Sequence, residues 1–474
     1  MWISTPHQSG VSNFTPGMAR FEAVRQRNAM GQNNDTIFDV DCIDRKTMNS
    51  VRGGTIMSSF LKRIDHAPSQ QRWAMLRQWM DEVPLLLYEE LREHRPVLEL
   101  PELTMVTRFS DCMSVLSQHD LFSVALYEPK QRGFWMAQDD TAVHWREKSI
   151  MQSILDLEEL PKIRKFVGES ACSILARAGG TIEAVNGLCR AVPIMLVQEQ
   201  FGFDESDPKE LFEWSYWNQY DAFHNQPFDS VVVKDPALII ANREAANQRM
   251  VVYLGGLLQR RVADLKAGKV NHDPVTRLLR LSLSGAVQLD MQRVAQNVGG
   301  LLIGAVETTS HAAINALAGL LERPEILARA IAAAKNNVSE FDGYVFEALR
   351  FDPAFPYFFR VCEKTTRLAR GTGHEREIHP GTTVLAITHS AMFDSTAFPH
   401  PKEFNPSRPT TNAFHFGQGL HECLGRQIGA QMIPEIVRSV LLQPGVRAVG
   451  PVDNKGGPVP EHYLLQWNTS GHGA

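Results

Sequence analysis

The stretch FHFGQGLHECLG, from Phe414 to Gly425, constrains this chain more than any other. Cys423 stands just ahead of LGRQIGAQMIPEIVRSVLL (424–442), whose apolar residues recur at helical spacing. A helix N-terminus presents unbonded N–H groups and a partial positive charge. Both favour thiolate over thiol, so the sulfur's pKa is expected to fall. Gly417 and Gly419 permit a tight turn that aims backbone amides at the sulfur. A fold that contains this loop has to close around whatever the sulfur holds.

The other cysteines, Cys42, Cys112, Cys172, Cys189 and Cys362, are scattered and form no C-x-x-C pair. That argues against a zinc ribbon, an iron–sulfur cluster and a secreted disulfide scaffold, and it suits the reduced cytoplasm. His415, His421 and Cys423 suggest zinc, but no partner pair follows at zinc-like spacing. The loop suits a cysteine-ligated haem iron better. Amides near a ligating sulfur tune the metal's potential, and a thiolate pushes electron density toward bound oxygen. Phe416 can cover one face of a flat ring, and His421 can donate to a carboxylate at its edge.

A chain of 474 residues can bury a large core with a cofactor inside it. Its net charge of −5 lacks the basic footprint of nucleic-acid binders. The N-terminal region has no apolar segment of the signal-peptide kind, and no run approaches the ~18 apolar residues of a membrane span. We therefore expect a cytoplasmic protein without a membrane anchor. Residues 1–55, rich in Asn, Gln, Ser and Gly, read as a loosely ordered extension, and 56–474 as one domain. From Ser69 the pattern is helical, through Trp73, Leu76, Trp79, Met80 and Val83, with Pro84 splitting the helix. Residues 96–109 alternate as a β-hairpin, short strands return in 376–388 around Pro380-Gly381, and 462–468 is a last strand. The fold class is α+β, mainly α, a large helical body with a small β part.

One helix stands out. Asp290 is its expected N-cap, and the pattern runs to about Glu322 before Arg323-Pro324 stops it. Inside it, Gly299, Gly300 and Gly304 each cost about 1 kcal/mol relative to alanine. Either another helix packs closely there, or the helix crosses a flat ligand.

With these residues on view, the 414–425 loop resembles the haem-binding signature of the cytochrome P450 superfamily, F-G-x-G-x-H-x-C-x-G. Six fixed positions of this kind coincide by chance in fewer than roughly one in 100,000 chains of this length. GAVETT (304–309) is similar to the family's oxygen-activating segment, EALR (347–350) to its E-x-x-R, and FPHPKEFNPSRP (398–409) to the meander before the haem loop. The resemblance covers about residues 56–474. It implies the P450 fold around a buried haem b, with Cys423 as axial iron ligand. It implies a hydrogen bond from Thr308 to bound oxygen and a proton relay through Glu307 from solvent. Ala305 stands where glycine is usual, which narrows the groove above the iron. Arg360, His421, His144 and Lys148 are the implied propionate partners; DDTAVHWREK (139–148) is similar to the family's H-x-x-x-R helix, with lysine replacing the bidentate arginine fork. Arg408 would join Glu347 and Arg350 in a buried triad. Residues 119–135 and the aromatic-rich 211–228, with Val306 and Val459, are candidates to line a pocket for a small apolar organic substrate. The implied activity is a monooxygenase using O2. Its electrons would come from a ferredoxin or flavodoxin-type redox partner with a reductase, docking near Arg426 and Arg438. The alternative is a haem-thiolate enzyme that needs no redox partner, a peroxygenase or an isomerase; a haem sensor is a third reading.

Overall fold

The computed structural model describes residues 59–131 and 133–469, and the 1–55 extension lies outside them. Ser69–Glu82 and Pro84–His94 are separate helices. Pro84 opens the second, where its missing N–H would have had no partner in any case. The hairpin expected in 96–109 is Val97–Glu99 paired antiparallel with Thr104–Val106. It forms one edge of a five-stranded sheet that continues through Thr383–Ala386, Phe358–Cys362 and Phe122–Ser123. The strands in 376–388 do not pair with each other. Arg376–Ile378 pairs with Thr366–Leu368 instead, so Pro380-Gly381 carries the chain between two sheets. Burial explains the separation: Val384, Leu385 and Ala386 are all buried and need a central place, whereas Arg376 and Glu377 are exposed. Leu464–Gln466 is the last strand, between Thr181–Glu183 and Arg447–Ala448.

The long glycine-bearing helix is two helices. Asp290 caps the first, Met291–Ala305, accepting from the Arg293 N–H at 2.8 Å. The second is Glu307–Leu321, and Val306 breaks the run at φ −88°, ψ −70°. The Thr308 hydroxyl donates to the Gly304 carbonyl at 2.7 Å and so competes with the helix ladder at that point. The glycines divide between the two readings. A Cβ on Gly300 would lie 2.6 Å from Phe134 and one on Gly299 3.4 Å from Leu254, so both are packing sites; Gly304 has nothing within 4 Å. Glu307–Leu321, Leu160–Ala178 and Arg426–Leu441 enclose the centre of the core, with Val167, Ile314, Leu317, Ile436 and Val440 fully buried. Glu147, buried on the Ala142–Ile154 helix, accepts from Arg293 at 2.7 Å and from Asn297 at 2.8 Å, which fixes that helix against the first of the pair.

The E-x-x-R pair is buried. Glu347 receives Arg350 at 2.7 Å, Arg408 at 3.3 Å and the Asn405 N–H at 2.9 Å. Arg350, 1% exposed, lies between the rings of Phe351 and Phe393, 4.5 and 4.4 Å from their centroids. Arg408 donates onward to the Pro399 carbonyl at 2.8 Å. The meander is thereby strapped to the Val338–Phe351 helix so closely that a Cβ on Gly343 would collide with the Pro406 carbonyl.

Replacing Glu347 by Ala leaves two buried guanidinium groups without their carboxylate. The stability loss should be about 3–5 kcal/mol in denaturant unfolding. His389 supplies a pH test. Burial lowers its pKa to about 3, and its Nε2–H donates to the Phe351 carbonyl at 3.0 Å. Because the native state binds this proton less readily than the unfolded chain, the contribution is full above pH ~6.5 and is lost as pH falls toward 3. About 3 kcal/mol should be gone by pH ~4, and His389→Asn should flatten that part of the stability–pH curve.

Candidate functional site

Gly417 and Gly419 take φ of +70° and +74°, and a Cβ on Gly419 would lie 2.5 Å from the Leu116 carbonyl. The turn closes through the Gly417 N–H donating to Phe414 O at 3.0 Å and the Cys423 N–H to Phe416 O at 2.9 Å. Phe416 packs over Gly429 and lies 6.1 Å from Phe346. The Lys148 ammonium donates to the carbonyls of Leu420 and, at 3.1 Å, Glu422. It therefore clamps the loop on either side of His421.

Cys423 lies deep in the protein yet is exposed, so its sulfur faces an internal chamber. The thiol pKa is raised, not lowered as the sequence suggested. Burial pushes it up, against the Gly425 N–H and the Lys148 charge. The helix begins only at Arg426, and its dipole is felt only near its first turn. Thiolate character at Cys423 therefore has to come from a bound metal, which deprotonates a coordinating thiol.

Arg360 is 5% exposed, and its only hydrogen bond among the described residues is to the Phe359 carbonyl, at 2.8 Å. No carboxylate pairs with this fork, and burial lowers its pKa. His144 is fully buried; its Nδ1 meets the carbonyls of Trp135 and Gln138 at 2.9 Å, and its Nε2 has no partner. His421 lies 5.1 Å from the His144 ring and meets Asp139 Oδ1 at 3.0 Å. Burial holds its pKa down to about 4. An accessible sulfur, an unpaired buried guanidinium and an orphaned imidazole nitrogen together fit an iron macrocycle with acidic side arms. Among the described residues no three His, Cys, Asp or Glu side chains group to hold a metal ion, so zinc finds no ligand set.

On the paired helices, Gly304 and Thr308 keep accessible surface beside the break at Val306. Ala305 is only partly buried and packs on the core. Glu307 does not meet solvent. It is 3% exposed and grips Arg190 through both oxygens, at 2.8 and 2.9 Å. Burial raises its carboxyl pKa against the pull of Arg190. Arg190 also holds Glu461 at 3.1 Å, and Glu461 accepts from Tyr216 at 2.8 Å. Sequence reasoning missed Arg190, Glu461 and Asp139. A lone arginine ahead of the apolar run 191–197 was the one available signal.

Segment 119–135 lies against the Met291–Ala305 helix, with Arg293 donating to Gly133 O at 2.6 Å. Of 211–228, Leu211, Trp214 and Phe228 are core, while Tyr216, Tyr220 and His224 keep accessible surface. Val306 is fully buried, and Val459 keeps 6% of its surface. Arg438 is committed to Ala334 O at 2.8 Å and Glu435 at 3.1 Å, whereas Arg426 is partly exposed and pairs with Glu422.

The cytochrome P450 family model matches residues 189–443. The chain is 26% identical over 311 residues to cytochrome P450 monooxygenase PikC of Streptomyces venezuelae, covering 65% of this chain and 68% of that protein. It is 31% identical over 276 residues to the erythromycin C-12 hydroxylase of Saccharopolyspora erythraea, covering 58% and 62%. The structure of cytochrome P450 CYP109Q5 from Chondromyces apiculatus superposes with a TM-score of 0.68 at 21% identity, covering 82% of this chain and 97% of that one. Among the described residues no helix is long and apolar enough to cross a membrane.

Gly419→Ala forces a side chain into a left-handed conformation against a carbonyl and should cost about 1–3 kcal/mol. Gly425→Ala, whose Cβ would meet only the Cys423 sulfur at 3.9 Å, should stay within about 1 kcal/mol. Thermal unfolding of the two variants tests the contrast.

Proposed function

The chain belongs to the cytochrome P450 family of haem-thiolate, oxygen-incorporating oxidoreductases, and on that premise we propose a monooxygenase that inserts one oxygen atom from O2 into a small apolar organic substrate. Its electrons come from a separate ferredoxin or flavodoxin-type partner with a reductase. The observation that carries this reading is the Cys423 sulfur, which keeps accessible surface in the glycine-turned loop; the reading sets the Thr308 hydroxyl, beside its helix break, across the chamber from it.

When bound, haem b supplies the reductive activation of O2. Cys423 would hold the iron through its sulfur. Arg360 and the free Nε2 of His144 would face the propionates. Phe416 and Gly417 shape the loop on the sulfur side, with Phe416 shielding it from water. His421, turned to Asp139, orders the ring edge, and Lys148 fixes the loop carbonyls instead of contacting a propionate. Ala305 limits the space at the break.

Thr308 holds a proton at Oγ1 and releases it from Gly304 O when a better acceptor arrives in the chamber. Glu307 reloads it. To do so the carboxylate must exchange an Arg190 contact for water, and its raised pKa favours taking a proton once that contact opens. The closed Glu307–Arg190 pair also supports a second reading, a peroxygenase, which needs no relay. Arg426 is the more accessible of the two cations considered for redoxin docking.

Cys423→His should abolish the long-wavelength absorption of the reduced carbon monoxide complex; a retained band removes Cys423 as ligand. Thr308→Ala should keep haem but divert reductant to peroxide by about tenfold or more, on the scale of a lost catalytic proton donor. Turnover with a redoxin, with peroxide alone and with neither separates the two readings.

A further inference from the structure

Two neighbouring imidazoles, His224 and His311, have no hydrogen-bond or ion-pair partner among the described residues. Thr308 and His311 are three apart on the Glu307–Leu321 helix and so share one face, and the Thr308 hydroxyl reaches back across the break to the Gly304 carbonyl. Each keeps accessible surface, while Val306, Glu307, Thr309 and Ser310 are buried. His224 ends the Pro208–His224 helix. Its ring lies parallel to Phe355, 6.4 Å away at 7°, with the edge of Tyr220 at 6.1 Å. Phe355 stacks in turn on Phe358 at 6.1 Å, and Phe358 comes within 3.9 Å of a Cβ built on Gly417. One wall thus runs from the Cys423 loop through Phe358 and Phe355 to His224. His311 lies close enough to His224 to oppose its protonation.

Neither imidazole makes a hydrogen bond or an ion pair with any described residue, whereas enclosed polar groups in folded proteins are almost always satisfied. Burial holds their pKa values down to about 3 and about 4. Both rings are therefore neutral at pH ~7, and each offers one donor and one acceptor. The pair suits a group that both gives and takes hydrogen bonds without carrying charge.

We propose that His224 and His311 clamp a neutral hydroxyl or carbonyl group on an otherwise apolar substrate, and so determine which part of it lies beside Thr308. This rests on the reading of the chamber as the substrate site of a monooxygenase. His224 and His311 are specificity-determining residues and take no part in the oxygen chemistry.

The test uses the haem-loaded protein and one carbon skeleton with four endings: decalin, decalone, decalol and decalin carboxylate. Affinities are read from ferric haem absorption and from calorimetry. Decalone and decalol should bind about tenfold more tightly than decalin, the scale of one net hydrogen bond. His224→Phe and His311→Leu should each reduce that preference, and the double variant should abolish it while leaving decalin within about threefold. His224→Asn and His311→Gln, which keep hydrogen-bonding capacity, should retain part of it and guard against misfolding of the apolar variants. Equal binding of the four, a preference that survives the double variant, or tightest binding of the carboxylate overturns the clamp. If the reduced carbon monoxide complex shows its long-wavelength band meanwhile, the clamp alone has failed; if the wild type lacks that band, the monooxygenase reading has failed as well.

Discussion

The whole proximal side of the molecule depends on one carboxylate. Glu347 receives two guanidinium groups and a backbone amide in a place with almost no water. A buried ion cluster of this sort contributes little over an apolar one of equal volume, so its value is geometric. Arg350 and Arg408 reach four carbonyls, of Met392, Pro399, His400 and Glu403, and so pin an irregular stretch that has no ladder of its own. That stretch leads directly into Phe414–Gly425. The position of the sulfur is inherited from the position of Glu347.

A second set of contacts aligns the first of the paired helices. Trp135, Asn297, Glu147 and Arg293 form a continuous polar chain between the Ala142–Ile154 and Met291–Ala305 helices. The Ala142–Ile154 helix also carries Lys148, which donates to two carbonyls of the cysteine loop. The Met291–Ala305 helix and the cysteine loop are thus both referred to the Ala142–Ile154 helix, the first through Glu147 and the second through Lys148.

Much of this was legible in the sequence because the responsible signals are local. The N-cap at Asp290, the helix restart at Pro84, the positive-φ glycines of the loop and the i, i+3 pairing of Glu347 with Arg350 all follow from residues a few positions apart. The misses are long-range or depend on burial. Glu307 reads as a solvent-facing acid until Arg190, more than a hundred residues earlier, is folded against it. The sulfur's pKa reads as lowered when only the nearby helix is considered, and burial reverses the sign. The break at Val306 is a local effect by contrast, since a mid-helix threonine can bond its own backbone and loosen the helix.

Phe134 occupies the volume that any side chain at position 300 would need. The loop before the Ala142–Ile154 helix therefore rests directly on bare backbone at this point. A methyl group there would sit under the tip of the Phe134 ring, so the ring would have to swing aside or the loop ride higher over the helix.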